Sequence, residues 1–216
     1  MGNVSTADWE ALVAPYFRFL EERFHMRIIG RDDSGWWETS ITYARDPVAV
    51  IVRNSVEFNR AEIELVRMVD GKIPPVPIFV HPDTRIDRCE FDNLLILRAP
   101  SEFEALKKLG GLDRPTVERS LEFQASALER YAPEFLRGDP AVFEELDKLI
   151  KDRVAENPQR IKISFPEGTS PQEIERGVAD AKRIDPKVPV DVQFYNKPPS
   201  AKRRWKWAFH RSSRNT

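Results

Sequence analysis

Three runs of alternating residues between positions 36 and 69 constrain this chain more than anything else in it. In the first, Trp37, Thr39, Ile41 and Tyr43 fall on one side and Trp36, Glu38, Ser40 and Thr42 on the other, the two-residue period of a half-buried strand. Asp46-Pro47 closes that run. Residues 48–53 are rich in β-branched side chains. Residues 61–69 set Ile63, Leu65 and Val69 against Glu62 and Glu64, and Asp70-Gly71 ends the signal. Together they read as an antiparallel meander with one buried face and one wet face, on which Glu62 and Glu64 serve solubility or meet a partner.

Ahead of the meander, Ser5 or Thr6 caps a helix whose residues Trp9, Leu12, Val13, Tyr16, Phe17, Leu20 and Phe24 recur at helical spacing. This helix should cover the buried face of the sheet, with Pro15 bending it or shifting its start and His25 at its end. Beyond the meander, four prolines make residues 72–82 extended, Ile78-Phe79-Val80 reads as a short edge strand, and residues 93–98 form another apolar run. Ser101 caps a short helix stopped by Gly110-Gly111, and Asp113 with Pro115 opens a longer one along Val117, Leu121, Gln124, Leu128 and Tyr131. Gly138-Asp139-Pro140 starts a third, carrying Phe143, Leu146, Leu149, Ile150 and Val154. The last two should pair antiparallel against the sheet.

Potential ligands crowd in one place, where His81, Asp83, Asp87, Cys89, Glu90 and Asp92 fall within twelve residues. The paired-Cys or paired-His spacing of a zinc site and the central glycine of a calcium loop are both missing, so no metal is assigned. Cys89 as a nucleophile with His81 as base would need a stabilised thiolate, and Asp87 and Glu90 instead raise its pKa. The residues read as a solvated acidic loop around a small half-buried cysteine. Asp83, Asp87, Glu90 and Asp92 join Glu62 and Glu64 as a candidate partner surface.

The segment Tyr131-Ala-Pro-Glu-Phe-Leu-Arg-Gly-Asp-Pro-Ala-Val-Phe-Glu-Glu-Leu, after a meander containing Val56-Glu57-Phe58-Asn59-Arg60, resembles small uncharacterised actinobacterial α+β proteins, some of which suggest the immunity proteins of bacterial toxin systems. The resemblance covers residues 7–153 and consists of packing and turn residues. It implies a partner-binding protein that occupies a toxin's surface.

From residue 158 the pattern changes. Ile161, Ile163 and Phe165 alternate as a strand. Ser170-Pro-Gln-Glu173 is a capping box opening a helix along Ile174, Val178, Ala181 and Ile184, and Val188, Val190, Val192 and Phe194 alternate as a second strand. Two strands and one helix bury little surface. This β-α-β module must therefore extend the first sheet, dock on the first domain, or pair with a second chain as a homodimer. Gly168 and Gly177 are isolated, and no P-loop lysine or dinucleotide fingerprint accompanies them, so no cofactor and no catalytic residue is assigned.

The last twenty residues carry seven cations and no acid, which leaves −8 on the rest of a chain whose net charge is −1. Lys202, Arg203, Arg204, Trp205, Lys206, Trp207 and Arg211 interleave charge with aromatics, a composition that neutralises phosphates and stacks on unpaired bases. It also suits an anionic membrane surface, or docking of Trp205, Trp207 and Phe209 on the body as a final strand. No run reaches bilayer length, no secretory leader pattern is present, and the single Cys89 forms no internal disulfide, so a reducing cytoplasm is expected.

The expectation is therefore an α+β protein. An antiparallel β-meander covered by helices occupies residues 1–155, a small β-α-β module residues 158–196, and a basic aromatic C-terminal tail residues 197–216. Binding of a protein partner stands first as its function, with nucleic-acid binding through the tail as the alternative and an enzyme of unrecognised type third. An acidic body suits a basic toxin by charge complementarity.

Overall fold

A computed structural model describes residues 6–33, 38–55, 60–77, 79–109 and 113–195. Ser5, Trp36, Trp37, residues 56–59, Ile78, Gly110, Gly111 and the basic tail lie outside them, with the expectations placed there. The fold is α+β, and the chain divides into two compact units. Unit one holds the chain up to Val76 together with Arg85–Ile150, and unit two holds Pro77–Thr84 with the chain from Lys151 onward.

Unit one is built on five antiparallel strands in the order β1 (Arg27–Asp33), β2 (Glu38–Arg45), β3 (Val48–Ser55), β4 (Arg60–Arg67) and β5 (Arg88–Glu90). The alternation in the sequence sets the register: Ile41 and Ile63 flank Val52, and Tyr43 and Leu65 flank Val50. All six are buried on one face, each contributing roughly 1.5–3 kcal/mol of apolar transfer. The helix α1 (Thr6–Glu22) covers that face with Trp9, Val13, Phe17 and Leu20, and the Trp9 indole donates to the Val52 carbonyl at 3.3 Å. It runs unbroken past Pro15, whose side chain is exposed. The chain then leaves the helix through His25 at φ 54°, a left-handed residue that ends the helix while the Met26 amide bonds back to the Leu20 carbonyl at 2.9 Å.

Residues 88–98 differ from expectation. The edge strand is β5, Phe79 and Val80 belong to no strand, and the apolar run after it is the helix α2 (Phe91–Arg98), which buries Phe91, Leu94 and Leu95. Next come α3 (Pro100–Lys107), started by its proline without a side-chain cap, and α4 (Arg114–Tyr131), whose N-cap Asp113 accepts from the Thr116 amide at 3.0 Å. The α4 stripe of Val117, Leu121, Gln124 and Leu128 is buried, and Gln124 donates to the Ala61 carbonyl at 2.9 Å, tying the helix to β4.

The expected antiparallel pairing of α4 with the third long helix does not form; α4 meets α1, α2, α3 and β4 instead. A short helix α5 (Pro133–Leu136) and Gly138 at φ 99° turn the chain first, a backbone angle that a side chain would strain. The helix α6 (Val142–Glu156) then places Phe143 beneath the Arg67 guanidinium, 5.2 Å from the ring centre, and sets Asp147 to accept from the Ile86 amide at 3.4 Å.

Unit two is the expected β-α-β. The strand β6 (Ile161–Pro166) pairs in parallel with β7 (Val190–Tyr195), and the helix α7 (Pro171–Ile184) begins with the full Ser170–Glu173 capping box. Ile161, Ile163, Phe165, Ala181 and Val188 form its core, with Phe79 from the earlier segment packed against them. Gly177 is the closest approach of helix to strand: a Cβ there would lie 2.6 Å from the Phe165 ring. No helix among the described residues is long and apolar enough to cross a membrane.

Candidate interaction surfaces

The acids on the meander do not face water. Glu62 and Glu64 are 7% and 5% exposed, a correction to the wet strand face. The cause is cross-strand arginine. Glu62 stands opposite Arg53, and Glu64 accepts from Arg53 and, through both oxygens, from Arg88 of β5 at 2.9 and 2.6 Å. Arg88 also donates to the Pro74 carbonyl at 3.1 Å. Such a two-pronged grip on one carboxylate is the strong form of charge-assisted hydrogen bonding, and it removes Glu64 from any partner surface. On the same face, Ala44, Ala49, Ile51 and Val66 pack with Met68 and Ile73.

Residues 83–92 do not form one solvated loop either. Asp83 belongs to unit two, where it is exposed beside Lys187 at 3.7 Å. Asp87 belongs to unit one, accepts from Arg67 at 2.6 Å and forms an ion pair with Arg85 at 2.9 Å. Glu90 closes β5, and Asp92 lies in the first turn of α2, where a carboxylate suits the helix dipole.

Cys89 is buried in β5, not half-buried. Burial pushes its thiol far up, and the charges of Glu64 and Glu90 add to that. A thiol so held is no nucleophile. His81 is engaged elsewhere: its Nε2 lies 2.5 Å from Asp185 Oδ2 in unit two, and this bond holds the Asp185 carboxyl below its ordinary value. No three His, Cys, Asp or Glu side chains among the described residues converge to hold a metal ion. The cationic set Lys202, Arg203, Arg204, Trp205, Lys206, Trp207 and Arg211 lies outside the described residues.

One surface was not anticipated. Between α3 and α4 of unit one lies a cleft of about 480 Å³ whose lining includes Arg119, Glu122, Phe123 and Arg130. On α4, Arg119, Phe123, Ser126 and Arg130 succeed one another at spacings of four, three and four, one stripe beside the buried one. Arg130 is held by Glu102 at 2.7 Å, a carboxylate that also accepts from Tyr131 at 2.8 Å. Arg119 donates to the Pro115 carbonyl and Thr116 Oγ1, at 3.3 and 3.2 Å, and its charge adds to the Thr116 hydrogen bonds that lower the pKa of Asp113 at the start of the helix. Glu122 is exposed beside it. The cleft thus displays a cation, an acid and a half-buried aromatic ring within about one helical turn. No family model, no curated protein and no solved structure matches the chain.

Proposed function

We propose that this chain is a non-catalytic, cytoplasmic protein-binding protein of the immunity type, and that it receives a segment of its partner in the cleft between α3 and α4. The observation that carries the reading is the Arg119–Phe123 pair. A guanidinium bonded to one carbonyl and one hydroxyl lies one turn from an aromatic ring in an open cleft, and Arg and aromatic side chains are the groups on which protein recognition concentrates. The fitting segment offers an apolar side chain to Phe123, a carboxylate to Arg119 and a cation to Glu122. The −8 charge on the chain before residue 197 steers a partner of net positive charge toward it.

The test is affinity capture by the immobilised full chain, repeated with Arg119→Glu and Phe123→Asp. A protein held by the wild type and lost from both variants, with circular dichroism and melting unchanged, supports the reading. Equal capture by all three overturns it.

A further inference from the structure

We infer that unit two joins a second copy of this chain through the outer edge of β7, making a two-fold dimer with a continuous four-stranded sheet β6-β7-β7′-β6′. Among the described residues β7 pairs with β6 only, and a two-stranded sheet leaves an unpaired row of backbone groups on each side. The two sides differ. The β6 sequence carries Lys162 and ends in Pro166, the residue types that guard an edge, whereas the β7 sequence contains no lysine, proline or glycine. Asp191, its one charge, is held by Arg160 at 2.9 Å.

The apolar exposure of unit two points the same way. Phe194 is 55% and Ile184 40% exposed, while Val190 and Val192 are half-buried. Ile184 closes α7 where the chain turns toward the start of β7, and Phe194 lies near the end of β7.

The backbone sets the register. The Ile161 amide bonds to the Pro189 carbonyl at 2.9 Å, and Ile161 stands opposite Val190 in a parallel ladder. The alternation of such a ladder turns the amides and carbonyls of Asp191 and Gln193 toward β6 and those of Val190, Val192 and Phe194 outward. An antiparallel pair centred on Val192 then uses all three outward residues, with Val192 on the dyad and Val190 opposite Phe194 of the other copy. Asp191 meets a glutamine, not a like charge. The reversal of direction carries each Phe194 to the end of the sheet where the other copy's Ile184 stands, so the exposed side chains cover each other.

The two α7 helices lie on the same face and run antiparallel. This sets the first turn, with Glu173, against the basic last turn of the other copy, with Lys182 and Arg183. Their axes are two to three strand spacings apart, roughly 10–14 Å, a gap that Phe194 and Ile184 fill. The interface is isologous, as a two-fold dimer requires.

Light scattering on the full chain across a concentration series tests the inference. The expected mass is twice the 25.0 kDa of one chain. Phe194→Lys, at an exposed site, should weaken association tenfold or more. Val192→Pro, which removes an outward amide and none bonded to β6, should do the same. The mass of a single chain throughout, as when the chain's own tail or another partner fills the edge, overturns the inference. So does a dimer that survives both Phe194→Lys and Val192→Pro.

Discussion

The two units solve the same problem with different amounts of material. Unit one spreads five strands beneath α1 and α4 and still buries acids on the opposite face, where arginines from neighbouring strands hold them. Unit two has two strands and one helix, borrows Phe79 from a segment seventy residues or more earlier in the chain, and leaves Phe194 more than half exposed. The lesson is one of supply: a large sheet can enclose charge, while a small one cannot finish enclosing its own hydrophobic side chains.

The contrast can be broken first at Glu64. Glu64→Ala leaves the half-buried Arg53 and Arg88 without their shared carboxylate, and since removal of one member of a fully buried ion pair costs about 3–5 kcal/mol, the loss should approach the lower end of that range. Hydrogen exchange should show the loss in β3 and β4 and not in β6. Arg88→Ala added to Glu64→Ala should cost far less than its effect in the wild type, since the two share one interaction.

A smaller effect sharpens the other side. Gly177→Ala improves helix propensity yet puts a methyl 2.6 Å from the Phe165 ring, and overpacking of this kind costs about 1–3 kcal/mol. Exchange should accelerate in β6 and α7 and stay unchanged in β2–β4. Phe165→Leu in the same chain should recover part of the loss.

The smallest effect concerns the clasp between His81 and Asp185. The bond lowers the Asp185 pKa in the folded state, so its contribution is fully present above the ordinary carboxylate value and is lost as pH falls through the folded-state value. His81→Asn should return the Asp185 titration, monitored by carboxyl NMR, toward that ordinary value. It should also speed exchange of residues 79–84 at neutral pH, and this difference from the wild type should shrink as the solution is acidified.

The elements with strong local chemistry were legible in the sequence. The period of α1, the alternation of β2 to β4, Asp113 before α4 and the capping box of α7 each state their structure within a few residues. The misread features depend on distant partners. An acid alternating with apolar residues looks the same whether it meets water or arginine, and what decides for Glu64 is Arg53, eleven positions away, and Arg88, twenty-four away. β5 is three residues long, too short for any period, and exists because β4 is beside it. The cleft was missed because Phe123 sits among charges on what reads as the wet side of α4, although its spacing from Arg119 and Arg130 was there to see.

The division into units also changes what a cut in the chain can accomplish. The chain passes from one unit to the other after Val76, after Thr84 and after Ile150. A protease or a truncated gene that severs only the last passage leaves Pro77–Thr84 behind in the first fragment, with Phe79 and His81 deprived of the core and the carboxylate that hold them. Neither unit can be inherited, swapped or released as one uninterrupted piece. A genetic crossover after Val76 divides unit one, one after Ile150 divides unit two and cuts α6, and one after Thr84 divides both.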